Sequence, residues 1–209
     1  YLYDDTGALK EWATTSFDEN NEHRHLSHLY CVWPLFETQN NEDLSAACKQ
    51  AILNRESENE ASHALVHRSL IAARLKDRNS LSDALLKLMN HKIRYNSLMT
   101  NHDYDQGSCY CTDFAIGYLG IINESLIYSN TGEIELLPAL INGFDQGKIT
   151  GINARTQATV DSLEWDMETG TVDAIITSRI DQEIAISYGG NTEIINFKAN
   201  ETKTVSFSE

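Results

Sequence analysis

The sequence predicts an α+β protein with two segregated units: a set of helices followed by an antiparallel β-sandwich. Up to about residue 129, apolar residues recur at the spacing of amphipathic helices. After Gly132 the pattern changes to short alternating runs separated by turn residues, which is typical of antiparallel strands. Because the strands follow the helices and do not alternate with them, the order favours two units.

Four helices are predicted in the first part, over residues 44–52, 64–75, 81–89 and 114–128. Asn41 or Asp43 gives the start signal for the first helix, and Ser80 can cap the third. His63 and His67 lie four residues apart on one face of the second helix, where we expect ordinary helix residues. The fourth helix is apolar nearly all round, so we expect it to be buried.

Six strands are predicted in the second part, over residues 134–137, 160–165, 172–177, 183–188, 193–197 and 203–207. Turn residues such as Asn142-Gly143 and Gly189-Gly190-Asn191 separate them. Pro138 marks the joint between the two parts, which places the domains at residues 1–138 and 139–209.

The charge balance restricts the kind of partner. The 209 residues include 16 Lys and Arg against 31 Asp and Glu, which gives a formal net charge of −15. This balance argues against nucleic acid and against a membrane partner, whereas a neutral sugar is compatible with it. No apolar run is long enough for a transmembrane helix. The chain starts at Tyr1 without a Met, so we expect a processed chain or a piece of a longer protein.

The four cysteines, Cys31, Cys48, Cys109 and Cys111, lack the paired Cys-x-x-Cys spacing of zinc sites. We therefore expect no metal and no cofactor. Their number in a chain of this size favours four free thiols.

The most informative stretch is the run 23–30, His-Arg-His-Leu-Ser-His-Leu-Tyr. It follows an acidic loop and leads into an apolar segment. Because imidazole, guanidinium and hydroxyl groups are costly to desolvate, their concentration at a core boundary indicates a site for a polar ligand. The alternative is a buried hydrogen-bond network that braces the fold. A zinc site is disfavoured because His23, His25 and His28 lack the i, i+4 spacing of a zinc helix.

Three blocks of sequence, in this order, resemble the late catalytic domain of glycoside hydrolase family 95. The first combines Leu9-Lys10-Glu11-Trp12, the run 23–30 and Trp33-Pro34. The second is Ala-Arg-Leu-Lys-Asp at 73–77. The third begins with Thr-Asp-Phe-Ala-Ile-Gly at 112–117 and continues with Gly-Glu-Ile-Glu-Leu-Leu-Pro-Ala-Leu at 132–140. The resemblance covers about residues 9–140, and the strand-rich tail by position only.

The family contains inverting 1,2-alpha-L-fucosidases and related alpha-L-galactosidases, with an (α/α)6 barrel followed by a C-terminal β-domain. The resemblance therefore implies a fragment of an inverting exo-glycosidase, with a partial (α/α)6 barrel before the β-sandwich. The family's general-acid glutamate lies upstream of these residues, so we expect the chain alone to be inactive. A glycan substrate and a secreted or cell-surface location are implied in the same way. The missing helices predict association with a second copy or with an upstream barrel half.

The resemblance also assigns roles to single residues. Asp113 matches the aspartate that activates a water-holding asparagine, on the general-base side of the reaction. Spacing alone favours a helix N-cap with no other task, and the resemblance reverses that preference. Arg24 and His25 match a pair that contacts the sugar. His28 is grouped with them as substrate-binding, although it also fits the bracing network.

Departures from the family pattern surround Asp113. Phe114 and Ala115 stand where the family has glycine and asparagine, and Gly107 stands where it has a histidine that His102 is the candidate to replace. These changes keep open a second hypothesis, a non-catalytic, degenerate relative that binds a glycan or a partner chain. A third hypothesis is an unrelated structural domain whose histidines form a packing network.

Overall fold

The structure, a computed structural model, describes residues 1–19, 22–55, 61–91, 93–94, 99–102 and 109–208. Its contacts divide the chain into two compact units, Tyr1–Ile122 and Asn123–Glu209. Helices dominate the first unit and two β-sheets form the second. The predicted α+β class, with a helical unit before a sheet unit, is confirmed.

The first unit contains a short 3-10 helix, a set of α-helices and a two-stranded sheet. Their bounds are Ser27–Cys31 for the 3-10 helix, Glu42–Asn54 (α1), Ser62–Arg74 (α2), Arg78–His91 (α3), Ile93–Arg94 (β1), Met99–Thr100 (β2) and Thr112–Leu126 (α4). The last residues of α4, from Asn123 onward, belong to the second unit. β1 and β2 pair antiparallel, and nothing in the sequence pattern predicts them. No helix in the described residues is both long and apolar enough to cross a bilayer.

Local hydrogen bonds explain where two of these helices begin. The side chain of Asn41 accepts a hydrogen bond from the backbone N–H of Leu44 at 3.1 Å, so the predicted start of α1 is confirmed. α3 begins earlier than predicted, because Asp77 Oδ1 accepts from the backbone N–H of Ser80 at 3.1 Å. Ser80 therefore lies inside α3, and its prediction as a cap is wrong.

A buried apolar cluster joins the N-terminal segment, the 3-10 helix, α1 and α2. Its members are Ala8, Leu9, Leu26, Leu29, Cys31, Val32, Leu44, Ala47, Cys48, Ala51, Ile52, Ile71 and Leu75. Each fully buried leucine contributes about 2 kcal/mol through its burial. Leu26 and Leu29 are both buried in the cluster. The residue that follows each of them, Ser27 and Tyr30 respectively, is exposed.

α4 is amphipathic in the described structure. Phe114 and Ile121 are fully buried, as the apolar pattern predicts. Ile116 and Leu119, however, are 71% and 66% exposed. The expectation that α4 is buried all round is therefore wrong for the described residues.

Within residues 123–208, the second unit contains eight strands in two four-stranded sheets. Their bounds are Ile127–Asn130 (β3), Glu133–Leu136 (β4), Gln146–Ala154 (β5), Ala158–Asp166 (β6), Thr171–Ser178 (β7), Gln182–Tyr188 (β8), Asn191–Phe197 (β9) and Thr202–Ser208 (β10). One sheet has the order β10-β7-β6-β5 and is antiparallel throughout. The other has the order β3-β4-β8-β9, in which β4 and β8 are parallel.

The junction between α4 and the sheets contains no loop. α4 ends at Leu126 and β3 begins at the next residue, Ile127. The carbonyl of Leu126 accepts a hydrogen bond from the N–H of Leu137 at 2.7 Å, and the carbonyl of Ser125 accepts from Ala139 at 3.3 Å. The last turn of α4 is thus bonded to the segment that follows β4.

Candidate functional site

An open cavity of about 860 Å³ lies in the first unit. It is surrounded by the segment 23–34, by α2 and by the first turns of α4. Its lining residues are Glu11, His23, His25, Leu26, Ser27, Tyr30, Trp33, Pro34, His63, Val66, His67, Leu70, Thr112, Asp113, Ile116 and Gly117. Together with Glu11, the cavity therefore collects residues from four regions of the sequence.

A buried ion pair holds the start of the segment 23–34. Arg55 Nη2 donates to Glu11 Oε2 at 2.8 Å, and the two side chains are only 1% and 7% exposed. Ser27 Oγ donates to the other oxygen, Oε1, at 2.8 Å. Burial raises the pKa of Glu11, but the hydrogen bonds from Arg55 and Ser27 outweigh it and lower the net pKa. Glu11 is thus an ionised anchor, and a poor donor of protons.

Arg74 on α2 holds the other end of this segment. Its Nη1 donates to the backbone carbonyls of Val32, Pro34 and Leu35 at 3.1, 3.0 and 2.8 Å. Its guanidinium carbon also lies 4.1 Å from the centre of the Trp33 ring, which is a cation–π contact. The buried Arg74 side chain therefore ties the cavity residues Trp33 and Pro34 to α2.

Three imidazoles form a line of edge-to-face contacts beside the cavity. The ring centres of His23 and His25 are 5.1 Å apart, and those of His25 and His63 are 5.3 Å apart. Burial lowers the pKa of His25, and the neighbouring Arg24 lowers it further. His25 is therefore neutral at physiological pH, so one ring nitrogen can donate to a sugar hydroxyl and the other can accept.

His67 gives α2 a further contact with the segment 23–34. Its Nε2 lies 3.3 Å from the carbonyl oxygen of Trp33, and its ring centre is 5.1 Å from that of Tyr30. Burial lowers the pKa of His67, which the Trp33 carbonyl partly opposes. The neutral ring therefore carries its proton on Nε2 and leaves Nδ1 as an acceptor.

Asp113 lies in the first turn of α4, is exposed and lines the cavity. Backbone N–H groups at a helix N-terminus favour an anionic side chain in that turn. α4 contributes Thr112, Ile116 and Gly117 to the same cavity. An acidic group and the neutral imidazole of His25, 88 positions earlier in the chain, thus share one cavity.

Of the four site residues predicted from the sequence, two line the cavity and two do not. His25 and Asp113 line the cavity. Arg24 is half-buried next to His25 and is not among the lining residues. His28 is also outside the lining: it is half-buried near Arg55, Glu11 and Glu19, and its Nδ1 is fully buried without a hydrogen-bond partner in the described residues.

Burial lowers the pKa of His28 to about 4, and the positive charge of Arg55 adds to the shift. His28 therefore belongs to the surroundings of the Glu11–Arg55 ion pair. His63 and His67, which were expected to be ordinary helix residues, line the cavity. Their i, i+4 spacing on α2 was the available signal, since it places both on the face that α2 turns toward the cavity.

The substitutions beside Asp113 lie outside the cavity lining. The Phe114 ring is fully buried and contacts the Tyr118 ring with a centre-to-centre distance of 6.2 Å. Ala115 is exposed and is not a lining residue. Gly107 falls outside the described residues, and His102 is not part of the lining.

Within the described ranges, no group of three or more His, Cys, Asp or Glu residues is placed to hold a metal ion.

Family models match both units. Residues 2–126 match the model described as the glycosyl hydrolase family 95 catalytic domain, and residues 128–209 match the family's C-terminal domain. The chain belongs to glycoside hydrolase family 95. The resemblance inferred from three sequence blocks is thereby confirmed, and it extends to the strand-rich tail.

Two curated relatives are similar to this family 95 chain. "Alpha-L-fucosidase 2" from Arabidopsis thaliana is 26% identical over 172 residues, which is 76% of this chain and 20% of the relative. "Probable alpha-fucosidase A" from Aspergillus oryzae is 28% identical over 204 residues, which is 86% of this chain and 28% of the relative. The chain thus spans between a fifth and a third of the length of these relatives.

The contact between α2 and α4 gives a prediction for two glycines. A Cβ at Gly117 would lie 2.6 Å from Val66 Cγ1, whereas one at Gly120 would lie 3.7 Å from Leu70 Cδ2. We expect Gly117→Ala to lower the free energy of unfolding by about 1–2 kcal/mol, because overpacking outweighs the better helix propensity. Gly120→Ala should raise it by about 0.5–1 kcal/mol.

Urea denaturation of the two variants, followed by circular dichroism, measures both values. Adding Val66→Ala to Gly117→Ala should recover part of the loss, because it removes the clashing methyl group. Equal effects of the two glycine variants would show that α2 and α4 are not in close contact at Gly117.

Proposed function

We propose that this family 95 chain contributes the general-base side and the sugar-binding side of an inverting glycoside hydrolase acting on alpha-L-fucosides or alpha-L-galactosides. The observation that carries the proposal is the shared cavity of His25 and Asp113. The printed names of two relatives, both alpha-fucosidases, support the substrate class.

The proposed role of Asp113 follows from the chemistry of inversion. An inverting enzyme needs a base that activates water on the face of the sugar opposite the general acid. Asp113 is exposed, lies in the first turn of α4 and lines the cavity. In this proposal Asp113 acts on the water through an asparagine, and a separate general acid protonates the leaving oxygen. Residues outside this sequence supply both the asparagine and the general acid.

The proposed role of the 23–28 segment is to hold the sugar. His25 can exchange hydrogen bonds with a hydroxyl in the cavity, and Arg24 beside it offers several fixed donors. Tyr30 and Trp33 add aromatic surface for the apolar face of the sugar. His28 contributes indirectly in this proposal, since it lies near the ion pair that anchors Ser27.

A second candidate function is glycan binding without catalysis. The observation that favours it is the replacement of the family's glycine and asparagine by Phe114 and Ala115 directly after the proposed base. Because neither residue lines the cavity, sugar binding by His25 and its neighbours would survive these changes. Association with a second copy or an upstream barrel half stays a prediction, for which Ile116 and Leu119 offer exposed apolar surface.

The test is Asp113→Asn in the longest natural polypeptide that contains this sequence, assayed with chromogenic alpha-L-fucoside and alpha-L-galactoside. We expect kcat to fall about 10²–10⁴-fold with little change in KM, because the substitution removes a charge needed in the transition state. Proton NMR of the product anomer, recorded early in the reaction, would show inversion.

Asp77→Asn is the matched control. Asp77 also lies at a helix N-terminus and bonds Ser80, but it is outside the cavity lining. We expect its kcat to stay within about two-fold of wild type. If wild type binds fucose but shows no turnover, the second candidate is correct. If the wild type turns over and Asp113→Asn keeps its kcat, the general-base assignment is wrong.

A further inference from the structure

Two buried thiols contact each other behind the cavity. Cys31 is the last residue of the 3-10 helix, and Cys48 lies in the middle of α1. Their sulfur atoms are 3.8 Å apart, and the residues are 5% and 0% exposed. Cys31 Sγ also donates to the carbonyl oxygen of His28 at 3.4 Å, so the S–H of Cys48 points to Cys31. Both are free thiols in the structure.

The surroundings keep the two sulfur atoms together. Leu26, Leu29, Val32 and the buried face of α1 belong to the same apolar cluster as both cysteines. Such packed elements hold their side chains in place. A disulfide bond places its two sulfur atoms about 2.0 Å apart. The sulfur atoms of Cys31 and Cys48, at 3.8 Å, already face each other and have only to close the remaining gap.

We propose that Cys31 and Cys48 are a disulfide-forming pair, and that the bond ties the cavity segment 23–34 to α1. The expectation of free thiols then holds only for Cys109 and Cys111. Tyr30 and Trp33 flank Cys31 closely and line the cavity, so the bond would fix the backbone that carries them. This inference is independent of the proposed hydrolase activity.

The chemistry balances with a low-molecular-weight disulfide such as oxidised glutathione as the oxidant. The thiolate of Cys31 attacks one glutathione sulfur, which forms a mixed disulfide and releases one glutathione thiolate. The thiolate of Cys48 then attacks the Cys31 sulfur and releases the second glutathione. The protein loses two protons and two electrons, and oxidised glutathione is reduced to two thiols.

The order of attack follows from the hydrogen bond between the thiols. This bond lowers the pKa of Cys31 and raises that of Cys48, with burial raising Cys48 further. Cys31 is therefore the first nucleophile. Because buried thiols react slowly once the fold is complete, the exchange takes place late in folding, when the two thiols are already in contact but still accessible.

The experiment refolds the 209-residue chain from urea in a buffer of reduced and oxidised glutathione, followed by alkylation of remaining thiols. Trypsin releases residues 25–49 as one peptide, because no lysine or arginine lies between Arg24 and Lys49. Both cysteines are in this peptide. We expect this peptide to be unalkylated and lighter by two hydrogens than the peptide with two free thiols. After a further cleavage at Glu37, the disulfide should still join the fragment with Cys31 to the fragment with Cys48.

Thermal unfolding gives an independent measurement. The disulfide should raise the Tm of the first unit by about 5–10 °C over the reduced chain, because it constrains the unfolded state. Cys48→Ala and Cys31→Ala should each abolish this difference between oxidised and reduced protein. Cys109→Ser, which changes an exposed thiol, should keep it.

Three outcomes would overturn the proposal: alkylation of both cysteines after refolding, a glutathione adduct retained on either one, or a bond from Cys31 or Cys48 to Cys109 or Cys111. An oxidised chain with the predicted bond but an unchanged or lower Tm would also overturn it, since the bond would then strain the fold.

Discussion

Arg55→Met is expected to lower the free energy of unfolding of the first unit by about 3–5 kcal/mol, because it leaves the carboxylate of Glu11 buried without a counter-charge. Arg55 Nη2 is 2.8 Å from that carboxylate, and both side chains are almost fully buried. Arg55 Nη1 also donates to the carbonyl oxygen of His23 at 3.2 Å. The substitution therefore removes a charge partner and a backbone hydrogen bond together.

Urea denaturation provides the measurement, and a second variant identifies the cause. Glu11→Gln combined with Arg55→Met should be more stable than Arg55→Met alone, because the uncompensated charge is gone. Lys87→Met is the matched control: Lys87 lies 3.3 Å from Asp83 on α3, but both side chains are exposed. Its loss should be below about 1 kcal/mol. An equal loss of unfolding free energy in Arg55→Met and Lys87→Met would show that burial of the ion pair does not increase its contribution to stability.

His28 is expected to make the unfolding free energy fall by about 2–3 kcal/mol between pH 6.5 and pH 4, because its pKa is about 4 in the fold. Above the unfolded pKa of about 6.5 the imidazole is neutral in both states. As the pH falls below that value, His28 binds a proton in the unfolded chain but stays neutral in the folded chain. The loss is complete once the pH falls below the folded pKa.

The measurement is urea denaturation of wild type and His28→Gln at several pH values. Carboxylates also titrate in this range, so the difference between the two proteins isolates the contribution of His28. Wild type should lose more stability than His28→Gln as the pH falls, and the NMR signal of the His28 ring should shift near pH 4. Parallel stability curves for the two proteins would show that His28 titrates normally.

Local signals in the sequence account for much of the fold. The start of α1 is readable because one side chain, Asn41, bonds a backbone N–H three residues later. Strands β6 to β10 are readable because buried and exposed residues alternate along most of them. In both cases the physical cause lies within a few residues of the position predicted.

Tertiary packing determined the elements that the sequence did not reveal. β5 is an edge strand with mostly exposed residues and two glycines, so its alternation is weak. At one of them, Gly147, the Trp165 ring of β6 occupies the space of a side chain: a Cβ there would lie 2.3 Å from the ring. β3 continues the apolar pattern of α4 directly, so the sequence predicts one longer helix.

In the candidate site, too, some residues could be predicted from local sequence and others depended on tertiary packing. His25 and its neighbours stood out because the polar groups are adjacent in sequence. His63 and His67 did not, because their approach to His25 and Trp33 depends on how α2 packs against the segment 23–34. A helical spacing of four residues shows that two histidines share a face. Only the tertiary structure shows what that face meets.

The direct junction of α4 and β3 decides how the polypeptide can be shortened. A cut between Leu126 and Ile127 would separate the N–H groups of Leu137 and Ala139 from their carbonyl acceptors on Leu126 and Ser125. An excised β-domain therefore needs the last turn of α4 as an N-terminal extension, starting at about Asn123. Domain exchange between family members would have to replace this turn together with the sheets.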